Sequence, residues 1–223
     1  MQCGQLRYRA LRDDGVMNPI AEAVATTPAA TALLAAFVLI SLIGLYAAPS
    51  LVERSLFRPH WLLPRRQFAS IVTSAFVHAD LPHLLFNAFT FWAFAFALER
   101  AIGSSRLLAL YGFGLLVSAA GIWLGHRRDP GYRCLGASGA ILAVLFAYIV
   151  YFPGASLFIL PIPVPIPAPL FALAYLGYSV WAARQARGRV AHDAHLAGAA
   201  AGIVFVMLSD WPAVARALQR VLG

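Results

Sequence analysis

Four polar side chains sit in otherwise apolar stretches of this chain: His83, Asn87, Ser138 and His195. Polar groups are expensive in an apolar environment, so each is a candidate for function. Ser138 lies in Gly136-Ala137-Ser138-Gly139, a small-residue turn at the start of an apolar block. A serine hydroxyl there becomes a nucleophile toward a carbonyl carbon if an imidazole takes its proton, and His195 is the imidazole available. Gly-flanked backbone amides at a helix start point outward and can hold a developing oxyanion. His83 and Asn87 are four residues apart, so on a helix they stack on one face as two further hydrogen-bond donors. Plainer readings stand beside these. Ser138 could be a helix N-cap, His195 an interfacial histidine bound to water, and His83 with Asn87 a polar pair holding a loop.

Positioning such groups falls to the apolar blocks. The chain is 61% apolar and 12% charged, against roughly 45–50% and 25% for a soluble domain. The excess is concentrated in long runs divided by arginine-bearing connectors, the pattern of a polytopic membrane protein. The expected architecture is all-α with six spans: about 28–48, 81–100, 107–125, 136–153, 170–183 and 191–208. Residues 1–27 form a polar arm, 28–210 the membrane domain and 211–223 a short amphipathic tail. Residues 49–80 mix Arg54, Arg58, Arg65 and Arg66 with aromatic residues and should lie in the bilayer interface. Prolines alternate at 161, 163, 165, 167 and 169, which forbids helix and predicts an extended connector of polyproline type.

Spans four and six enter from the same side, and Ser138 and His195 both lie near their helix starts. His195, Gly198 and Gly202 share one helical face, and Gly198 with Gly202 makes a surface that a second helix can approach closely. Span four offers a matching stripe in Gly139, Ala143 and Ala147. If the stripes meet, Ser138 meets His195. Span two enters from that side too, which puts His83 and Asn87 at the same membrane face. Asp193, two residues from His195, points elsewhere on the helix.

All 17 basic residues are arginine and the net charge is +8. The arginines flank apolar blocks singly or in small groups, which suits lipid headgroups and not nucleic acid. Counted by connector, the arm's side carries 7 arginines and the opposite side 10, so charge alone leans toward an outward arm. Cys3 and Cys134 fall on opposite sides of the membrane and are expected to be free thiols.

His78-Ala79-Asp80-Leu81-Pro82-His83-Leu84-Leu85-Phe86-Asn87 resembles the HxxxxHxxxN signature of the rhomboid intramembrane serine proteases. Gly136-Ala137-Ser138-Gly139 is similar to their GxSG, and Ala194-His195-Leu196-Ala197-Gly198 with Gly202 to their last catalytic helix. The similarity runs from about residue 71 to 208, with the motifs in the family's order. It implies a six-helix bundle in which Ser138 is the nucleophile, His195 the base, and His83, Asn87 and the Ser138 amide the oxyanion hole. His78 would support the neighbouring loop and Gly136 keep it tight. It also implies cleavage of single-pass transmembrane proteins, often after small residues, with no cofactor. The location implied is a bacterial plasma membrane with the arm in the cytoplasm, and this orientation is preferred over the arginine count. One departure concerns the family's Trp-Arg pair in the first loop, for which 69–72 read Ala-Ser-Ile-Val.

Two other functions fit some of these residues. His78, His83, His192 and His195 could serve a membrane metalloenzyme, although no HExxH spacing is present. An inactive rhomboid-like protein that binds membrane clients is the second, and such proteins usually lack the serine or the histidine that this chain retains.

Overall fold

The computed structural model describes residues 19–159, 162–185 and 192–223. Most of the polar arm, with Cys3, Arg7, Arg9 and Arg12, lies outside the described residues, as do Pro161, Arg187 and Arg189.

The chain is predominantly helical. A short α1 (Pro19–Thr26) leads into α2 (Pro28–Leu42), which a π-helical turn (Ile43–Ala47) prolongs. The interfacial connector folds as α3 (Pro49–Ser55), a 3-10 turn (Pro59–Trp61) and α4 (Ala69–Thr73). The long helices α5 (Leu81–Ile102) and α6 (Ser104–His126) come next. A shorter α7 (Ser138–Tyr151), the strands β1 (Ser156–Ile159) and β2 (Ile162–Pro167), α8 (Ala168–Gln185), α9 (His192–Ser209) and α10 (Trp211–Leu222) complete the chain.

Among the described residues three helical stretches are long and apolar enough to cross a membrane: Pro28–Ala47, Leu81–Ile102 and Ser104–His126. Taking α9 with α10 as one bent pair makes four, and that pair is bent by 114°. The expected fourth and fifth spans are apolar but shorter, Ser138–Tyr151 and Ala168–Trp181. Large apolar side chains on the outer faces are exposed, including Phe86, Trp92, Leu116, Leu124, Leu173 and Trp181. An exterior this apolar is stable only against lipid, and the chain is an integral membrane protein.

The reason α7 is short is that it is the core. Every residue from Gly139 to Ala147 is buried, and α5, α6 and α9 pack around it. Small residues set the spacing. A Cβ added at Gly114 would lie 2.4 Å from the Ala143 Cβ, and one at Gly139 would lie 2.5 Å from the Ser118 Oγ. The α7/α9 contact is closer still. A Cβ at Gly198 would lie 2.1 Å from the Gly139 carbonyl oxygen, and at Gly202 2.2 Å from that of Ala143. The two stripes anticipated from their spacing therefore meet backbone to backbone.

The proline-rich connector folds differently from expectation. It is extended, but it closes on β1 as an antiparallel hairpin, with Ser156 opposite Pro167 and Leu157 opposite Ile166. Ala168 N–H bonds the Ala155 carbonyl, so the backbone nitrogen of the preceding Pro167 faces away from β1, where the missing N–H costs nothing, and the register is irregular further along the hairpin. Alternation of proline thus fits an edge strand as well as a lone extended one.

Glu99, near the end of α5, is buried at 2% exposure. Its carboxylate accepts from the amides of Ala29 (3.0 Å) and Ala30 (2.7 Å) and from the Ser104 hydroxyl (2.6 Å). It caps α2 from a distance, since Thr27 makes no side-chain cap. Glu99→Ala strands two buried donors and should cost about 2–4 kcal/mol of stability. Thermal unfolding in detergent measures this, with Glu99→Gln expected in between. An unchanged midpoint for the alanine variant would refute the cap.

Candidate active site

The Ser138 hydroxyl and His195 Nε2 lie 2.8 Å apart. The α7/α9 glycine contact produces this distance, because both side chains project from the helix starts just above it. Ser138 is the first residue of α7, and the N-cap position belongs to Ala137, which makes no side-chain bond to the helix. The serine hydroxyl is therefore engaged by the imidazole and is not the cap.

On the far side of the ring, His195 Nδ1 lies 3.1 Å from the Tyr175 hydroxyl of α8. With Nδ1 donating to that oxygen, Nε2 carries the lone pair and accepts the Ser138 proton, the tautomer a general base needs. The Tyr175 ring lies against Phe171 and Phe146, with centroids 5.7 and 5.9 Å away. Sequence reasoning missed Tyr175. An aromatic residue in an apolar span carries no signal of its own, and its distance of 20 residues from His195 implies no contact. Asp193 does point away from His195, and its carboxylate lies 3.1 Å from His126 Nε2 at the end of α6. His126 also stacks on Tyr132 at 3.6 Å, which ties the start of α9 to α6 and the following connector.

Gly136 adopts φ +121°, a conformation that favours glycine. A Cβ there would meet His83 Cε1 at 2.6 Å and Nε2 at 2.8 Å, with Asn87 Nδ2 at 3.7 Å. The residue two before Ser138 thus packs directly on the polar face of α5. Asp80 accepts from the His83 amide at 2.8 Å and caps that helix. Asn87 is buried, and its Nδ2 has no hydrogen-bond partner among the described residues. A buried donor left open on the face that Gly136 packs against suits an oxygen acceptor supplied from outside the chain.

His78 is fully buried behind this face. The Ser41 hydroxyl lies 2.9 Å from His78 Nδ1 and 3.1 Å from the Phe76 carbonyl; when its one proton goes to the carbonyl, it accepts from Nδ1. Its ring meets His83 edge to face at 4.9 Å. Burial, reinforced by His83 and opposed by Asp80, pushes the His78 imidazole down to about 3. An unfolded histidine protonates near 6.5, so the folded state binds fewer protons between those limits. Stability present at neutral pH is therefore lost as pH falls from about 6.5 toward 3, by at most about 1.4 kcal/mol per pH unit. Thermal midpoints measured at pH 7.5, 6 and 4.5 should fall, and fall less in His78→Gln. Identical slopes in the two proteins would refute the assignment.

A cavity of about 40 Å³ borders Ser138, lined among others by Ser74, Ser118, Cys134, Gly136 and Ala194. The loop before it is held by the Gly136 amide bonded to the Ser74 carbonyl (2.9 Å) and by a bridge between Phe57 and Cys134. Cys134 is a free thiol. Burial raises it to about 12 against a partial offset from Tyr132, so it stays protonated. Among the described residues, no three His, Cys, Asp or Glu side chains converge as a metal site.

A family model described as the Rhomboid domain matches residues 65–210. Similar proteins include "RHOMBOID-like protein 12, mitochondrial" of Arabidopsis thaliana, 29% identical over 153 residues, which make up 60% of this chain and 44% of that protein. "Rhomboid protein 1, mitochondrial" of Saccharomyces cerevisiae is 31% identical over 145 residues, covering 61% and 40%. "Rhomboid protease GluP" of Bacillus subtilis is 32% identical over 88 residues, covering 40% and 17%. The chain spans less than half the length of these curated relatives.

Proposed function

This chain belongs to the rhomboid family, and from that premise we propose that it is an intramembrane serine endopeptidase in which Ser138 is the nucleophile and His195 the general base. The observation that carries the reading is the 2.8 Å hydrogen bond between the Ser138 hydroxyl and His195 Nε2.

His195 takes the hydroxyl proton as Ser138 attacks the scissile carbonyl, and returns it to the leaving amine as the C–N bond breaks. Tyr175 accepts from Nδ1 and holds the ring in the required tautomer, the orienting task an aspartate performs in a triad. The oxyanion is received by the Ser138 amide, His83 and the open Asn87 Nδ2, with Gly136 allowing their approach. Water then hydrolyses the ester on Ser138, with His195 again as base. Gly139, Gly198 and Gly202 act through packing, and His78 supports the loop from behind.

The substrates are single-pass transmembrane proteins, and no cofactor takes part. The 40 Å³ cavity beside Ser138 has room for a small side chain or two to three waters, in keeping with cleavage after small residues. The chain crosses the membrane six times, with α7 and α8 as the short fourth and fifth crossings. At 14 residues α7 is about 21 Å long, against a hydrocarbon core of about 30 Å. Its first residue, Ser138, then lies below the membrane surface, with non-helical backbone covered by protein above it. We assign the arm to the cytoplasm and the site to the opposite half of a bacterial plasma membrane.

The test is labelling of detergent-purified protein with a fluorophosphonate. Wild type is expected to label at its serine and His195→Ala to label at least about 100-fold more slowly. Folded wild type that fails to label, beside a membrane serine protease that does, would transfer the assignment to client binding without catalysis.

A further inference from the structure

Outside the catalytic face, the outer surface of α6 and the interfacial connector enclose a second cavity of about 280 Å³. Its lining is wholly apolar: Phe57, Leu62, Leu63 and Ile71 on one side, and Leu116, Ala119, Ala120 and Trp123 on the other. The α6 residues span two turns, so the groove runs along the helix axis for about 10 Å. It is open outward, where Leu63 and Leu116 are more than half exposed.

Its two ends differ in chemistry. The Leu116 end continues into the apolar surface of α6. At the Trp123 end Arg127 lies over the Trp123 ring, with Arg128 next to it in the chain, and the exposed Arg65 and Arg66 follow Leu62 and Leu63 of the opposite lip. His60 Nδ1 donates to the Arg127 carbonyl at 3.0 Å and joins the two lips. Arg65 stacks 3.9 Å above Trp61, and Arg127 lies 4.9 Å above Trp123. Stacking occupies the guanidinium faces and leaves the N–H edges directed outward. The one arginine–carboxylate pair among the described residues is Arg58 with Glu53, so within them none of these four arginines is paired with a carboxylate.

A slot that is apolar along the bilayer normal and cationic at its interfacial end has the polarity of a single lipid molecule. We propose that this groove binds one anionic phospholipid, with an acyl chain between α6 and the connector and its phosphate held by Arg65 and Arg127. The N–H forks of the two arginines match phosphate oxygens in geometry and charge. A zwitterionic lipid fills the same slot, but its cationic end opposes the arginine cluster. Phe57, Ile71 and Ala119 border both this groove and the cavity at Ser138, so the bound chain braces the outer wall of that cavity. The proposal depends on the chain lying in a membrane and not on its being a protease.

Native mass spectrometry of the detergent-purified full chain, titrated with phosphatidylglycerol or phosphatidylcholine of equal chain length, tests it. Wild type is expected to retain one phosphatidylglycerol in preference to phosphatidylcholine. Arg65→Gln with Arg127→Gln should weaken phosphatidylglycerol retention roughly 30-fold, from two interfacial arginine contributions, and leave phosphatidylcholine unchanged. Ala120→Phe, which fills the groove from an exposed position, should lower retention of both lipids. All three substitutions are at exposed sites, and unchanged thermal midpoints without lipid establish that the variants are folded. Equal retention of the two lipids by wild type would overturn the proposal, as would full phosphatidylglycerol retention by the double arginine variant. Displacement of the lipid by millimolar inorganic phosphate would also overturn it, in favour of a free-anion site.

Discussion

Ser138→Ala is expected to cleave a single-pass transmembrane reporter at least about 10⁴-fold more slowly than wild type, and to unfold at the same temperature. The rate falls because the attacking atom is gone, and nothing nearby replaces it. The neighbouring Cys134 thiol is buried and raised to about 12, so it supplies no thiolate. Stability is unaffected because the hydroxyl caps no helix: the N-cap is Ala137, and Ser138 bonds His195. His195→Ala should fall by a similar factor, and the double variant by little more, since the two groups act as one unit. Reporter cleavage by gel and unfolding by intrinsic fluorescence, both in detergent, measure the two quantities. Turnover by Ser138→Ala within tenfold of wild type would remove it as nucleophile. A large loss of midpoint would mean that the hydroxyl is structural.

Gly198→Val should lose both stability and activity. A Cβ at this position would stand 2.1 Å from the Gly139 carbonyl oxygen and 2.8 Å from its carbon. The obstacle is backbone, so no rotamer change relieves it, and α7 and α9 must separate. Overpacking of this kind costs about 3 kcal/mol. The same separation lengthens the Ser138–His195 hydrogen bond, so activity should fall further than the unfolded fraction accounts for. Gly202→Val, facing the Ala143 carbonyl at 2.2 Å, should behave alike. Gly112→Ala on α6 is the control: nothing lies within 4 Å of an added Cβ, and it should be neutral or stabilising by up to about 1 kcal/mol. Thermal midpoints and reporter cleavage, measured together, decide the matter. A Gly198→Val protein as stable and as active as Gly112→Ala would end the packing argument.

The two cases show what kind of information was legible in the chain. Contact between the α7 and α9 stripes could be anticipated because small residues at i, i+3 and i+7 share a face, and two such faces admit close helices. The approach of Gly136 to His83 and Asn87 was foreshadowed in the same way, by polar residues at helix starts on one side of a membrane. Other features had no such signature. Glu99 looked like the charged end of a span, but its carboxylate reaches back some 70 residues to cap α2. Tyr175 looked like one more aromatic residue of an apolar span, although its hydroxyl faces His195 Nδ1. The prolines after α7 announced an extended backbone, and their alternation did not reveal that it would pair with Ser156–Ile159.

Span lengths divide along the same line. Hydropathy located the apolar blocks, and α2 together with its π-helical turn, α5 and α6 are long enough to cross a bilayer. It could not tell that α7 stops at 14 residues, because a helix buried among three others and one facing lipid are equally apolar. By itself the sequence determined the membrane environment, the family, the helix faces and which polar residues were candidates for chemistry, since these follow from composition, periodicity and local motif. Only the tertiary structure decided the distances, the partners on either side of the imidazole, the remote cap and the groove beneath the arginines. Those depend on contacts between residues far apart in the chain, which close packing selects and no local pattern encodes.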